Sequence, residues 1–422
     1  MNPYHVYLML EGVRGLGLGL IVTAPIYRIE QAGFGPLELV LAGTALEVAY
    51  FVSEVPTGVV ADVYSRRLSC IIGAFVMGAG WLLEGSIAAL WPIMLAQAML
   101  GSGWTFFSGA SEAWVAGEIG DKAAGRAIVR GQQSNLVFVI VGGFVGAGLA
   151  TVGLNIPILV AGASHVALGV LLIALMRETG FVRGEHASRL AAVTSTFRAG
   201  ATAVRRNRVL LLILGATFLT GAASEGLDRL WEAHLYTDFE LPGLGSISQL
   251  YWFAIVGGVA TALSVAALGY SRRFVERESD RALATTAVVL IAGIAGGSAV
   301  FGLAPAFALA VGAYWAVRIC RNVLHPTIVV WIVRHSSPAV RATVISLEGQ
   351  SHSIGEIASG FPLGLIGRLV SIPAALVTSG ILQALALPFF ARDVVRPSAG
   401  TPVPVDLEPL PSGPGAEPVT EL

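Results

Sequence analysis

Twelve stretches of this chain are each long and apolar enough to cross a bilayer, and no other feature limits its fold as strongly. A spanning helix takes about 20 mostly apolar residues. Inside lipid a backbone amide has no water to bind, so only helices or closed barrels can cross. The runs lie at about 4–27, 36–61, 68–88, 91–116, 127–151, 155–176, 209–235, 247–270, 282–302, 305–333, 341–367 and 371–391. They are continuous rather than alternating, which is the helical pattern. Only 13% of the residues are charged, against about 25% in soluble chains. The first run carries Glu11 and Arg14 and reads as a spanning helix, not a cleaved leader.

The connections alternate in charge. One set holds Arg66-Arg67, Lys122 with Arg126, seven arginines between Arg177 and Arg208, the group Arg272, Arg273, Arg277 and Arg281, and Arg334 with Arg341. The other set holds only Arg28 and Arg368. Basic loops stay on the cytoplasmic side, so both termini are expected there. The layout predicts a six-helix bundle at 1–176, a basic connector at 177–208, a second six-helix bundle at 209–391 and a tail at 392–422. The connector segment "ASRLAAVTSTFRAGATAVRR" suits a helix on the membrane surface. The proline-rich tail is expected to be disordered. The net charge of -1 gives no case for nucleic acid. Cys70 and Cys320 sit in different runs and imply neither a disulfide nor a metal framework.

One boundary carries a spaced pattern. In "SEVPTGVVADVYSRRLS" the residues Gly58, Asp62, Arg66 and Arg67 close the second run and open the third. The pattern resembles the loop between helices two and three of the major facilitator superfamily, with Ser65 where a second glycine is usual. That resemblance covers about residues 4–391 and implies an all-α membrane protein of twelve transmembrane helices in two pseudo-symmetric six-helix bundles. It further implies a cytoplasmic gate in which Asp62 meets the start of helix eleven near Arg341 to Thr343, and an arginine pairs with Glu118. The stretches "SGASEAW" and "SEGLDRLWEAHL" resemble bacterial exporter-type members, which implies a bacterial inner membrane. Two departures stand out: Gln97 replaces an arginine in helix four, and Ala147 replaces a proline in helix five.

Charges inside spanning runs are costly, about 2.5–3.5 kcal/mol each at mid-bilayer, so they mark cavities or partners. Glu11 and Arg14 share a face of helix one, either as a locking pair or as cavity lining. Helix seven carries Glu225, Asp228, Arg229, Glu232 and His234, with Glu225 and Asp228 read as cavity groups. Glu232 and His234 fit either that cavity or a solvated outer vestibule. Helix ten carries Arg318, Arg321 and His325 as one basic stripe facing acidic helix seven, so salt bridges are expected between them. Glu47 and Glu54 on helix two, and Glu348, His352 and Glu356 on helix eleven, are gate or packing candidates. Glu112, in "SGASEAW", suits a proton carrier, since desolvation disfavours a carboxylate's charged form. Glu84 is expected near the outer face, in water.

No GxxxxGK[ST], HExxH or GxSxG motif occurs, so neither ATP-driven transport nor hydrolysis has local support. The chain reads as a secondary transporter rather than an enzyme, without cofactor or metal, monomeric, acting by alternating access. The expected partners are a small-molecule substrate, protons as coupling ion, and the bilayer. Proton-coupled export of amphipathic compounds is the leading function, by resemblance. Metabolite uptake on the same fold is the second. A non-transporting membrane sensor is the third, and the cavity charges speak against it.

Overall fold

The computed structural model describes residues 2–181, 198, 200–275, 279–338 and 340–395. Most of the basic connector and all of the tail after residue 395 lie outside these residues, as do the surface-helix and disorder expectations placed on them. The described α-helices, in chain order, are α1 (Pro3–Leu20), α2 (Ala24–Glu30), α3 (Pro36–Val59), α4 (Arg66–Ser86), α5 (Leu90–Phe107), α6 (Ala110–Ile119), α7 (Asp121–Ala150) and α8 (Ile156–Leu175). They continue with α9 (Arg208–Thr237), α10 (Tyr251–Val275), α11 (Asp280–Leu303), α12 (Phe307–His335), α13 (Arg341–Leu369), α14 (Ile372–Ala384) and α15 (Leu387–Val395). Counting α1–α2, α5–α6 and α14–α15 as single passes gives twelve spans. Ten are apolar enough to cross a membrane on their own composition. The other two, α5–α6 and α13, are more polar because they carry groups such as Gln97, Glu348, His352 and Glu356 into the protein interior.

The breaks follow local chemistry. Pro25 stands at the start of α2, after a 3₁₀ turn at Ile21–Thr23. Pro56 lies inside α3, where its ring costs a backbone hydrogen bond. The helix then widens into a π turn at Val60–Tyr64, closed by the Ser65 amide on the Val60 carbonyl at 3.1 Å. Helix four, read from sequence as one run, is two helices. Gly109 adopts a φ of 71°, which glycine takes without strain, and α6 restarts at Ala110.

The helices pair in the same way in both halves of the chain. α1 packs on α7 as α9 packs on α13. α3 on α5 corresponds to α10 on α12, and α4 on α8 to α11 on α14. Small residues make the tightest of these contacts. A Cβ on Gly15 or Gly19 would strike the α7 carbonyls of Asn135 or Val139, and one on Gly142 or Gly146 would strike α1. In the second half Gly221 meets the His352 carbonyl, and Gly355 meets that of Phe218. Trp81, Trp114 and Trp331 are buried, and these three pack the interior rather than belt the membrane surface.

The two halves touch mainly at the end away from the arginine-rich loops. There Pro36, Leu37, Val40 and Thr44 of α3 lie against Gly367, Gly364 and Gly360 of α13. Between α7 and α10, Phe144 and Tyr251 bring their rings within 6.4 Å. Tyr236 donates to Glu30 at 2.9 Å across the same end. Toward the arginine-rich loops α7 and α10 part, leaving a groove of about 970 Å³ lined by Tyr4, Arg130, Gln133, Ser134, Thr261 and Val265.

Candidate functional site: a charged cavity between the halves

A cavity of about 520 Å³ lies between the two halves. α1, α2, α3, α4, α5, α9 and α13 all contribute to its wall. The wall mixes apolar and aromatic groups, among them Leu46, Tyr50, Trp81 and Trp104, with Arg28, Glu47, Gln97, Asp228, Arg229 and Glu232. This is the usual make-up of a small-molecule site: mostly apolar, with a few polar groups that orient the ligand.

Most of these charges are spoken for. Arg229 donates to Glu47 at 2.8 Å, which ties α9 to α3 across the two halves, and stands 3.4 Å from Glu225 on its own helix. Asp228 holds Arg321 of α12 through two hydrogen bonds of 2.6 and 2.7 Å, with Arg318 farther away at 3.7 Å. The bridge expected between acidic helix seven and basic helix ten therefore exists. On its far side a second cavity of about 440 Å³ is lined by Arg318, Arg321, Asn322, His325, Glu348 and His352. Asp228 faces one cavity and Arg321 the other.

Several sequence-based expectations are corrected. Glu84 is fully buried, not solvated. It accepts from Arg28 at 2.8 Å and from Gln97 at 2.7 Å. Gln97, the departure in helix four, is thus a cavity residue whose amide neutralises part of a buried acid's hydrogen-bonding need. His234 takes neither of its two expected places, cavity wall or wet vestibule: it is buried, with Nδ1 2.6 Å from Asp238 and Nε2 3.0 Å from the Phe301 carbonyl. Of the two readings of Glu11 and Arg14, the geometry matches the locking pair: they pair at 2.7 Å behind the wall, with the Arg14 guanidinium 4.7 Å above the Trp104 ring. Glu112 sits in the first turn of α6 and accepts from Ser111 at 2.9 Å, and it too is off the wall.

The remaining acids link helices. Glu54 accepts from Gln350 at 2.9 Å, between α3 and α13. Glu348 is buried and accepts from Thr217 at 3.3 Å. Glu356 accepts from Ser224 at 3.3 Å and stands 3.4 Å from His352. Among the described residues no group of three His, Cys, Asp or Glu side chains is placed to hold a metal.

The Gly58–Arg67 stretch is built differently from expectation. Ser65 caps α4 by accepting from the Leu68 amide at 2.9 Å, so the residue standing in for glycine starts a helix. The acid at this helix N-terminus is Glu178, which accepts from the Arg66 and Arg67 amides at 2.8 and 3.1 Å. No sequence signal marked it, because its partners lie more than a hundred residues away. Arg66 and Arg67 donate to the carbonyls of Ala113 and Ile173 at 2.8 and 2.7 Å. Glu118 does not pair with either arginine. It accepts instead from Thr179 and Gly180. Partial burial opposes its charge, but those donors outweigh it and hold the carboxyl below its ordinary range. Asp62 is exposed on the π turn, which packs on α3 and α4, and a Cβ on Gly58 would meet open space.

Comparison with known proteins agrees with this geometry. The family description "Major Facilitator Superfamily" matches residues 9–355. An uncharacterized MFS-type transporter, YxaM of Bacillus subtilis (strain 168), is 22% identical over 409 residues, which is 96% of this chain and 98% of that one. Among solved structures, the nucleoside transporter NupG superposes with a TM-score of 0.73 at 14% identity, covering 94% of this chain and 99% of its own. A bacterial homolog of the human lysosomal transporter Spinster gives 0.75 at 13% identity, covering 93% and 96%. The chain belongs to the major facilitator superfamily, a family of membrane transporters and not of enzymes.

Proposed function

We propose that this protein is a proton-coupled exporter of small amphipathic compounds, working as a monomer by alternating access. The observation that carries the reading is the cavity between the halves, sealed at one end and walled by ion-paired charges. Buried charges at this cost are retained where they do work on a ligand or an ion. The halves 1–176 and 209–391 are the two rocking bodies. With the arginine-rich loops in the cytoplasm, and both termini there, the parted end faces inward, ready to load a compound for export. Glu47, Glu225 and Asp228, each bonded to an arginine, are the groups through which a proton can enter the cycle, because protonating one releases its arginine. The acid pair Glu11 and Glu112 is the alternative proton path. Gly58, Asp62, Arg66 and Arg67 form the cytoplasmic latch, engaging the start of α13 in the opposite state.

A substrate screen in an efflux-deficient bacterial host, with and without an uncoupler, tests this reading. Lower accumulation that the uncoupler abolishes supports proton-coupled export. Higher accumulation means uptake, and no change in any compound removes transport of that panel. Asp62→Asn should cut transport while leaving membrane insertion intact. Unchanged transport by that variant would remove the latch.

A further inference from the structure

We infer that the substrate carries a cationic centre, and that Glu232 is the group that receives it. This deepens the proposed function and rests on its reading of the central cavity as the substrate site.

Five carboxylates line the wall or bind directly to it: Glu47, Glu84, Glu225, Asp228 and Glu232. Four guanidiniums answer them: Arg28, Arg229, Arg321 and, at 3.7 Å, Arg318. Each of the first four acids touches an arginine. Glu232 touches none: among the described residues it has no ion pair, and its Oε2 is shielded from solvent without a hydrogen-bond partner. Arg28 and Arg229 are the cations on the same wall, but Arg28 turns its Nε and Nη2 to Glu84, and Arg229 is held by Glu47 and Glu225. With all of these groups ionised the acids outnumber the guanidiniums by one, and the acid that touches no arginine lines the cavity.

A shielded carboxylate oxygen without a partner costs free energy that a bound cation would return. A ligand with neither a hydrogen-bond donor nor a positive charge would leave that cost unrelieved, a neutral donor would answer the oxygen but not the charge, and an anion would add repulsion. The rest of the wall fits the same ligand class. Tyr50, Trp81 and Trp104 supply aromatic surface, and aromatic faces attract organic cations. Arg14 stacks on the Trp104 ring from behind the wall. The aliphatic groups around them suit an amphipathic body. An ammonium, phosphonium or amidinium centre on an apolar frame meets all three demands.

The test uses the whole chain in lipid nanodiscs and defined probes. Saturable binding of tetraethylammonium and tetraphenylphosphonium is measured, beside the anion tetraphenylborate. Glu232→Gln should weaken cation binding about tenfold or more, a change of about 1.4 kcal/mol. Glu232→Asp should keep most of the affinity, and tetraphenylborate should not compete. Equal binding by the Gln variant, equal loss in the Asp variant, competitive binding of the borate, or no binding of either cation would each overturn the assignment. If the Gln variant does not elute as a single species, carbodiimide labelling of the wild-type protein decides. Tetraphenylphosphonium should protect Glu232 from the label in the mass spectrum, and an unprotected Glu232 sinks the idea. Cation binding at Glu232 without movement across a membrane would leave this inference standing and remove the transport reading. Transport of uncharged or anionic compounds untouched by Glu232→Gln would do the reverse.

Discussion

The two halves of the chain repeat one packing plan but place their charges differently. In the first half the buried pairs stay behind or beside the cavity: Glu11 with Arg14 within one helix, and Arg28 with Glu84 and Gln97 at the cavity edge. In the second half Asp228 and Arg321 stand between two cavities, and Arg229 reaches out of its own half to Glu47. Pairs inside one half travel with it and hold its shape. A pair between halves has to break if the halves separate there. The same kind of bond thus serves stability in one place and conformational choice in the other.

Four substitutions would break or sharpen that contrast, from the largest effect to the smallest. Asp228→Asn leaves the half-buried Arg321 with a neutral partner, and the loss should approach about 3 kcal/mol, the lower end of what breaking a buried pair costs. It should lower the melting temperature strongly, and a melting curve matching wild type would mean the bridge is not structural. Glu84→Gln should come next, at about 1–3 kcal/mol, because Arg28 keeps a hydrogen-bond acceptor but loses the charge. Denaturant unfolding in detergent reads it, and a loss no larger than that of a surface acid such as Glu240→Gln would contradict the buried triad. Glu47→Gln should change stability less and geometry more. It weakens the contact between α3 and α9, so spin-label distances across the sealed end should lengthen in a larger fraction of molecules, about tenfold for about 1.4 kcal/mol. An unaltered distance distribution would return Arg229 to a purely structural role. Ser65→Ala removes one helix cap, worth about 1 kcal/mol, and should show only as a small drop in melting temperature.

A pH effect is expected at the arginine-rich end. Glu118 has its carboxyl held below the ordinary range, so its bonds to Thr179 and Gly180 are complete above the unfolded glutamate value. That contribution is lost as pH falls through the lowered folded value. The protection of the Thr179 and Gly180 amides, taken relative to intrinsic exchange at each pH, should therefore fall in acid for wild type, and be low at all pH values in Glu118→Gln.

Ten of the spans were legible because lipid leaves the backbone few choices, and length plus apolarity reports that directly, whereas α5–α6 and α13 carry polar groups that weaken the signal. The Asp228–Arg321 bridge was legible for a similar reason: acids and arginines recur at helical spacing on two runs, and both need partners. What stayed hidden needed knowledge of a third element. Glu84 looks solvent-bound until Arg28 and Gln97 are seen at its depth. Glu178 follows an apolar run like any loop acid, yet it receives the amides that begin α4. Gly109 sits in a glycine-rich chain where no single glycine announces a break, and only its positive φ separates it from the rest.

The glycine seams between α1 and α7, and between α9 and α13, have a mechanical consequence. Where backbone meets backbone there is no side chain to compress or swing aside, so neither helix can tilt without carrying the other. Each seam makes two thin rods into one thick beam. A push of an ångström at the sealed end then arrives at the arginine-rich end with its size kept, rather than being absorbed along the way.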